Sequence, residues 1–373
     1  MFDEKYLERD ENTEFVFSDI CRDPVYDPST SEDMIEGINK AIELESQPLF
    51  LEGLSKRLTE LGMPCTESDT ELMLGEVKRR YKELLGKPCP KAVENWVKGT
   101  TPGITNRCNN FDLCYALEMK YEQVYVFFQK FFLTIPFNVK SREDAVYLYC
   151  FYHHKPYETV VKMLADSDTF VPQENAHTAT SQIAAVIQST DDDEKFMEYL
   201  SKHCYGNKQQ FQLARQCINQ EIEIIKETVS KDPAKNVQQD RANSSVVAEL
   251  LGYRYQRDRK KQSKKLPKRF TESLINDETL GKIIRGEEAT YETLRKALML
   301  LKFYSFYSEA ENTDEYTING NLLDFHDELN HLLYLCGFAR LYERHPFDCL
   351  LLYCANTDNP ILALHCVNGS GEN

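Results

Sequence analysis

The stretch Pro90-Lys-Ala-Val-Glu-Asn-Trp-Val-Lys-Gly99 offers the chain's clearest chemistry. Proline suits the first turn of a helix and glycine its end, so the segment reads as a short helix closed by Gly99. At helical spacing Ala92, Val93 and Trp96, flanked by Val97, form an inward face, and Lys91, Glu94, Asn95 and Lys98 point outward together. That outer face suits the major groove of DNA. Asn makes a bidentate contact to adenine, Lys reaches guanine or phosphate, and Glu accepts from cytosine. Lys87 before the helix, and Thr100 and Arg107 after it, are placed to touch backbone phosphates.

A second cationic feature is RYQRDRKKQSKKLPKR (254–269), in which Arg254, Arg257, Arg259, Lys260, Lys261, Lys264, Lys265, Lys268 and Arg269 face one acid, for a net +8. Such a run can hold phosphates of DNA or RNA, dock on an acidic segment such as Asp191–Glu194, or serve as a solvated linker. The whole chain is nevertheless acidic, at −16, which argues against indiscriminate coating of nucleic acid. Residues 1–60 carry −10, whereas 71–132 carry +3, so a local, oriented site is compatible with the total.

Signals for catalysis are missing. There is no GxxxxGK[ST], GxGxxG, GxSxG or HExxH, so the chain reads as non-enzymatic and no cofactor is implied. Cys150, His153 and His154 share one helical face without a fourth ligand, which favours an aromatic helix end over a metal site. His326 and His331 face different directions. The 12 cysteines form no CxxC pair and read as small buried hydrophobes.

The elements that must position these residues are helical. Ser68-Asp-Thr-Glu71 is a capping box for a helix to about Leu85, ended by Gly86 and by Pro88 and Pro90. Further helices are expected at RCNNFDLCYALEM, YEQVYVFFQKFF, DAVYLYCFYHH (capped near Ser141) and YETVVKML, then over about 176–188, 193–203 and 207–230. Alternating strand patterns are lacking, so the fold class is all-α and multi-helical. Hydrophobic residues at 42% suffice for packed cores, no window is long and apolar enough for a membrane helix, and acidic residues 1–10 point to the cytosol.

The order amphipathic helix, Leu84-Leu85-Gly86 turn, short helix Ala92–Gly99, Pro102 and Leu113–Leu117 resembles the helix-turn-helix domain of Xre or phage-repressor (Cro-like) regulators. The resemblance covers about residues 71–132. It implies a duplex-DNA-binding regulatory protein of bacterial or mobile-element type, read through Lys91, Asn95 and Lys98, with other helices serving dimerisation or sensing. Where that family often carries Glu, this chain has Val97.

The expected organisation is an acidic N-terminal segment with helices (1–66), a helix-turn-helix-like domain (67–168), a helical connector (169–253), the basic linker (254–269) and a C-terminal helical domain (270–373). The last echoes the first half: NWVKG is answered by KIIRG (282–286), and TIPFN…VYLYC by RHPFD…LLYC, as a diverged duplication would give. The aromatic clusters at helical spacing mostly build core, but stretches such as Phe303–Tyr307 surround much of a helix, which predicts some exposed rings and a partner-binding groove or homodimer surface. A rival reading therefore stays open, an acidic helical adaptor or inhibitor that docks a protein and does not bind DNA.

Overall fold

The computed structural model describes residues 49–100, 102, 107–132, 134–172, 180–231, 275, 277–287, 289–310, 317–342 and 345–368. The basic run 254–269 and the acidic segment before residue 49 lie outside them. Among the described residues every regular element is a helix and none is a strand. No helix among them is long and apolar enough to cross a membrane.

The helices are α1 (Leu49–Glu60), α2 (Thr70–Leu84), α3 (Lys91–Val97), α4 (Arg107–Ala116), α5 (Tyr121–Lys130), α6 (Arg142–Tyr152), α7 (Tyr157–Ser167), α8 (Thr180–Ser189), α9 (Asp193–Lys202), a single turn α10 (Asn207–Gln210), α11 (Gln212–Lys231), α12 (Asp277–Ile284), α13 (Tyr291–Ala310), α14 (Ile318–Leu335), α15 (Pro346–Ala355) and α16 (Pro360–Asn368). They divide into two compact units between Gln210 and Phe211.

This division corrects two expected boundaries. Helix α1 is no part of a separate N-terminal segment, because Phe50, Leu51, Leu54 and Leu58 are buried in the same core as α2 to α9. Nor is 169–253 a connector in its described part. Ile183, Ile187, Phe196 and Leu200 complete the first core, while Ala214, Ile218, Ile222 and Ile225 belong to the second. In both cases an amphipathic helix buries its apolar stripe against the nearest core.

Phe111 anchors the first unit, stacked at 4.5 Å on Tyr147 and 4.7 Å on Phe128. The second unit is built around α13, whose residues 294–301 are buried without interruption. Phe303, Tyr304 and Tyr307 are buried as well and Phe306 is half-buried, so most of that aromatic stretch builds core. A helix that is apolar all round needs neighbours on every side, and α11, α12, α14 and α16 supply them.

One buried ion pair organises each unit. In the first, Arg107 Nε donates to Asp144 Oδ2 at 2.9 Å and Nη2 donates to the carbonyls of Ile135 and Pro136 at 3.0 and 2.8 Å. The Asn138 amide donates to the same carboxylate at 2.8 Å. In the second, Arg295 donates to both oxygens of Asp348 at 2.8 and 2.6 Å and to the carbonyls of Ala339 and Arg340 at 3.0 and 3.1 Å, and the Tyr342 amide donates to Asp348 at 3.0 Å. The two loop carbonyls and the loop amide stand at the same distances in sequence from the acid in both units.

The echo extends further. Gly99 and Gly286 close α3 and α12 at φ +97° and +75°, a left-handed conformation that favours glycine. Each is followed by an amide bonded back into its helix, Thr100 to Asn95 and Glu287 to Lys282, both near 3 Å. In the later part, however, the sequence alignment of Pro136–Asn138 with Pro346–Asp348 is out of register. Asp348 answers Asp144, Tyr353-Cys354 answers Tyr149-Cys150, and Pro360 answers Pro156.

Replacing Asp144 with Ala strands a guanidinium in the core, at a cost of about 3–5 kcal/mol. Trp96 is the chain's one tryptophan and lies in the first unit. The urea midpoint of its fluorescence should therefore fall sharply in Asp144→Ala and stay unchanged in Asp348→Ala.

Candidate nucleic-acid interface

Helix α3 has two turns, so packing must hold it. Val93, Trp96 and Val97 are buried, and Ala92 is half-buried beside them. The Trp96 ring meets Phe50 of α1 and Phe132 after α5 edge-on, each with centroids 6.1 Å apart. These contacts fix the rotation of α3, and the same rotation leaves Lys91, Asn95, Lys98 and Thr100 exposed. Of the four residues expected on that outward face, Lys91, Asn95 and Lys98 are exposed and Glu94 is half-buried.

The entry to α3 differs in detail from the sequence reading. Helix α2 starts at Thr70 with Asp69 as N-cap, and the Asp69 carboxylate turns back to the Thr66 amide and hydroxyl at 2.7 and 2.8 Å. The Ser68–Glu71 box does not form, because Asp69 takes the cap position one residue later. At the other end Gly86 stops the helix as expected, and the Lys87 amide bonds back to the Tyr81 carbonyl.

The seven proposed DNA-contact residues fall into three groups. Lys91, Asn95, Lys98 and Thr100 form the open face. Glu94 joins α3 to α2 by pairing with Lys78 at 2.8 Å and with Lys91 at 3.0 Å. Those two ammonium groups hold its carboxyl down at about 2, so Glu94 is ionised and neutralised rather than a free acid facing phosphate.

Lys87 and Arg107, expected as phosphate contacts, are engaged with acids of the fold and stand apart from the open face. The Lys87 ammonium sits 2.6 Å from Asp112 and 2.5 Å from the Tyr157 hydroxyl, while Arg107 is taken up by Asp144 and two carbonyls. Withdrawing either cation would leave a buried carboxylate unpaired.

The Lys87 network was not anticipated from the sequence. Asp112 is buried on α4 and also accepts from the Tyr147 and Tyr157 hydroxyls at 2.7 and 2.9 Å. It ties the turn between α2 and α3 to α6 and α7, which lie outside residues 71–132. Burial and the Asp112 charge both push these tyrosines above their usual range. A lone Asp in an apolar helix was the available signal, and it carries no distance information.

The other chemistry-bearing groups are dispersed. Cys150 packs on Met163, and His153 contacts the Ile187 carbonyl at 2.9 Å. His326 is buried beside Asn330 and His331 is exposed. Among the described residues no three His, Cys, Asp or Glu side chains gather as a metal would require. The nine basic residues of 254–269 lie outside the described residues. No protein-family model, no curated protein and no solved structure matches the chain.

In urea with Trp96 as reporter, Asn95→Ala and Lys98→Ala should change stability by less than about 0.5 kcal/mol, as exposed sites do. Lys87→Met should cost about 1–3 kcal/mol by leaving Asp112 without its cation. Equal losses for all three would mean that the α3 face is part of the scaffold.

Proposed function

We propose that the first unit binds duplex DNA by laying the exposed face of α3 in the major groove, in a non-catalytic regulatory protein. The observation that carries this is the fixed rotation of α3: Trp96, Val93 and Val97 are locked inward, so Asn95 and Lys98 project together from a rigid edge. In this arrangement Asn95 reads adenine and Lys98 reads guanine or phosphate. Lys91 and Thr100 contact the backbone. Glu94 orients Lys78 and Lys91, and the ion pairs leave the local field positive. The remaining helices of the first unit and the second unit serve dimerisation or effector sensing, in a cytoplasmic protein of bacterial or mobile-element type.

One observation favours a second reading, an acidic helical module that docks a protein partner. Two of the expected phosphate contacts, Lys87 and Arg107, are consumed inside the fold, which lowers the positive charge available to DNA. Under that reading α3 is packing, and partner capture is indifferent to its outer face. RNA binding through 254–269 is a further, separate possibility, and charge reversal there should abolish RNA retention while sparing duplex DNA.

Selection from a pool of random duplexes at low salt, followed by mobility shift, distinguishes these. The DNA reading predicts an enriched sequence whose binding is lost in Asn95→Ala. In Lys98→Ala the slope of log affinity against log salt should fall by about one. No retention of any duplex at low salt overturns it.

A further inference from the structure

The two clamps differ at the position three residues before the acid. It is Ser141 in the first unit and His345 in the second, and each is the N-cap of the helix that carries the acid. Ser141 turns its hydroxyl to the Asp144 amide, as a cap does. His345 instead lies between two carboxylates, with Nδ1 3.2 Å from Asp348 Oδ1 and Nε2 3.4 Å from Glu292 Oε1. Its side chain is only 12% exposed.

Among the described residues, the charged groups around the ring are these. Helix α13 presents Glu292, Arg295 and Lys296, and α15 presents Asp348. Arg295 is bidentate on Asp348, and Lys296 is 3.1 Å from Glu292. Each carboxylate thus has one permanent cation, and the imidazole is the member whose charge changes near neutral pH. A neutral ring has one N–H, so its other nitrogen would face a carboxylate lone pair to lone pair. An imidazolium is attracted to both. Neither His345 Nδ1 nor Glu292 Oε1 makes a hydrogen bond, so the ring's charge provides that attraction.

We propose that His345 is a proton-operated latch on the Arg295–Asp348 clamp, holding the start of α15 against α13 when protonated and releasing it when neutral. The first unit has the same clamp without the latch. This inference is independent of the DNA reading and stands or falls separately.

The sign follows from linkage. Burial opposes the ring's charge, but Asp348 and Glu292 outweigh it and raise the ring above its ordinary 6.5. The stabilisation is therefore complete below 6.5 and is lost as pH rises through the higher folded value.

The test is a ring-proton NMR titration of the full chain, with the His345 ring assigned by through-bond correlation to its own backbone. A midpoint above 6.5 is expected; a midpoint at or below 6.5 overturns the proposal, and this arm needs no variant to fold. In parallel, the circular-dichroism transition that has no Trp96 fluorescence counterpart reports the second unit. Its urea midpoint should fall as pH rises through the ring's midpoint, and His345→Ser, the residue that caps the first unit, should remove that dependence. An unchanged dependence in His345→Ser overturns the latch.

Discussion

A guanidinium and a carboxylate taken out of water together determine how each unit is built. Neither charge is tolerable alone in a core, and removing one partner costs about 3–5 kcal/mol. The pair's organising value lies in what else it holds. In both units the arginine leaves one helix to bond two loop carbonyls, and the acid leaves another helix to accept a loop amide. A loop with no regular structure of its own has its backbone polar groups satisfied by side chains that cannot move. An apolar pair of similar volume would fill the space but would leave those carbonyls and that amide unpaired.

Around that fixed point the first unit presents a short helix with unusual definition. Helix α3 is too short to persist by itself, and it is held by three apolar side chains, by the Glu94 pairs to Lys78 and Lys91, and by Lys87 in the preceding turn. These contacts use up charges that a reading of composition would assign to a ligand. What remains at the surface is small, Asn95 and Lys98 with Lys91 and Thr100 beside them. Under the proposed DNA reading, such a set would specify more than it attracts, in a chain whose total charge is −16.

The helices, the inward face of α3 and the glycine stops were legible in the sequence, because periodicity and backbone restriction are local. Asn95 and Lys98 were placed outward for the same reason. The internal pairing of Lys87 and Arg107 was not legible because their partners, Asp112 with Tyr157 and Asp144, lie 25 to 70 residues away. The repeat was visible in NWVKG and KIIRG, yet Pro-Phe-Asn and Pro-Phe-Asp suggested the wrong register. The equivalent acids Asp144 and Asp348 are set by their role toward an arginine, and a chance resemblance of neighbours concealed it. Some rings in the aromatic run of α13 were expected to be exposed because a single helix pattern does not show that neighbours cover every side.

The shared plan of the two units is most directly tested by amide hydrogen exchange at Asn138 and Tyr342, measured in one sample. Both amides sit in irregular loops, and each has the clamp carboxylate as its acceptor. The account predicts that both exchange as slowly as helix-core amides such as those of Leu148 and Leu351. Exchange of either at the rate of an exposed loop, while those helices stay protected, would contradict it.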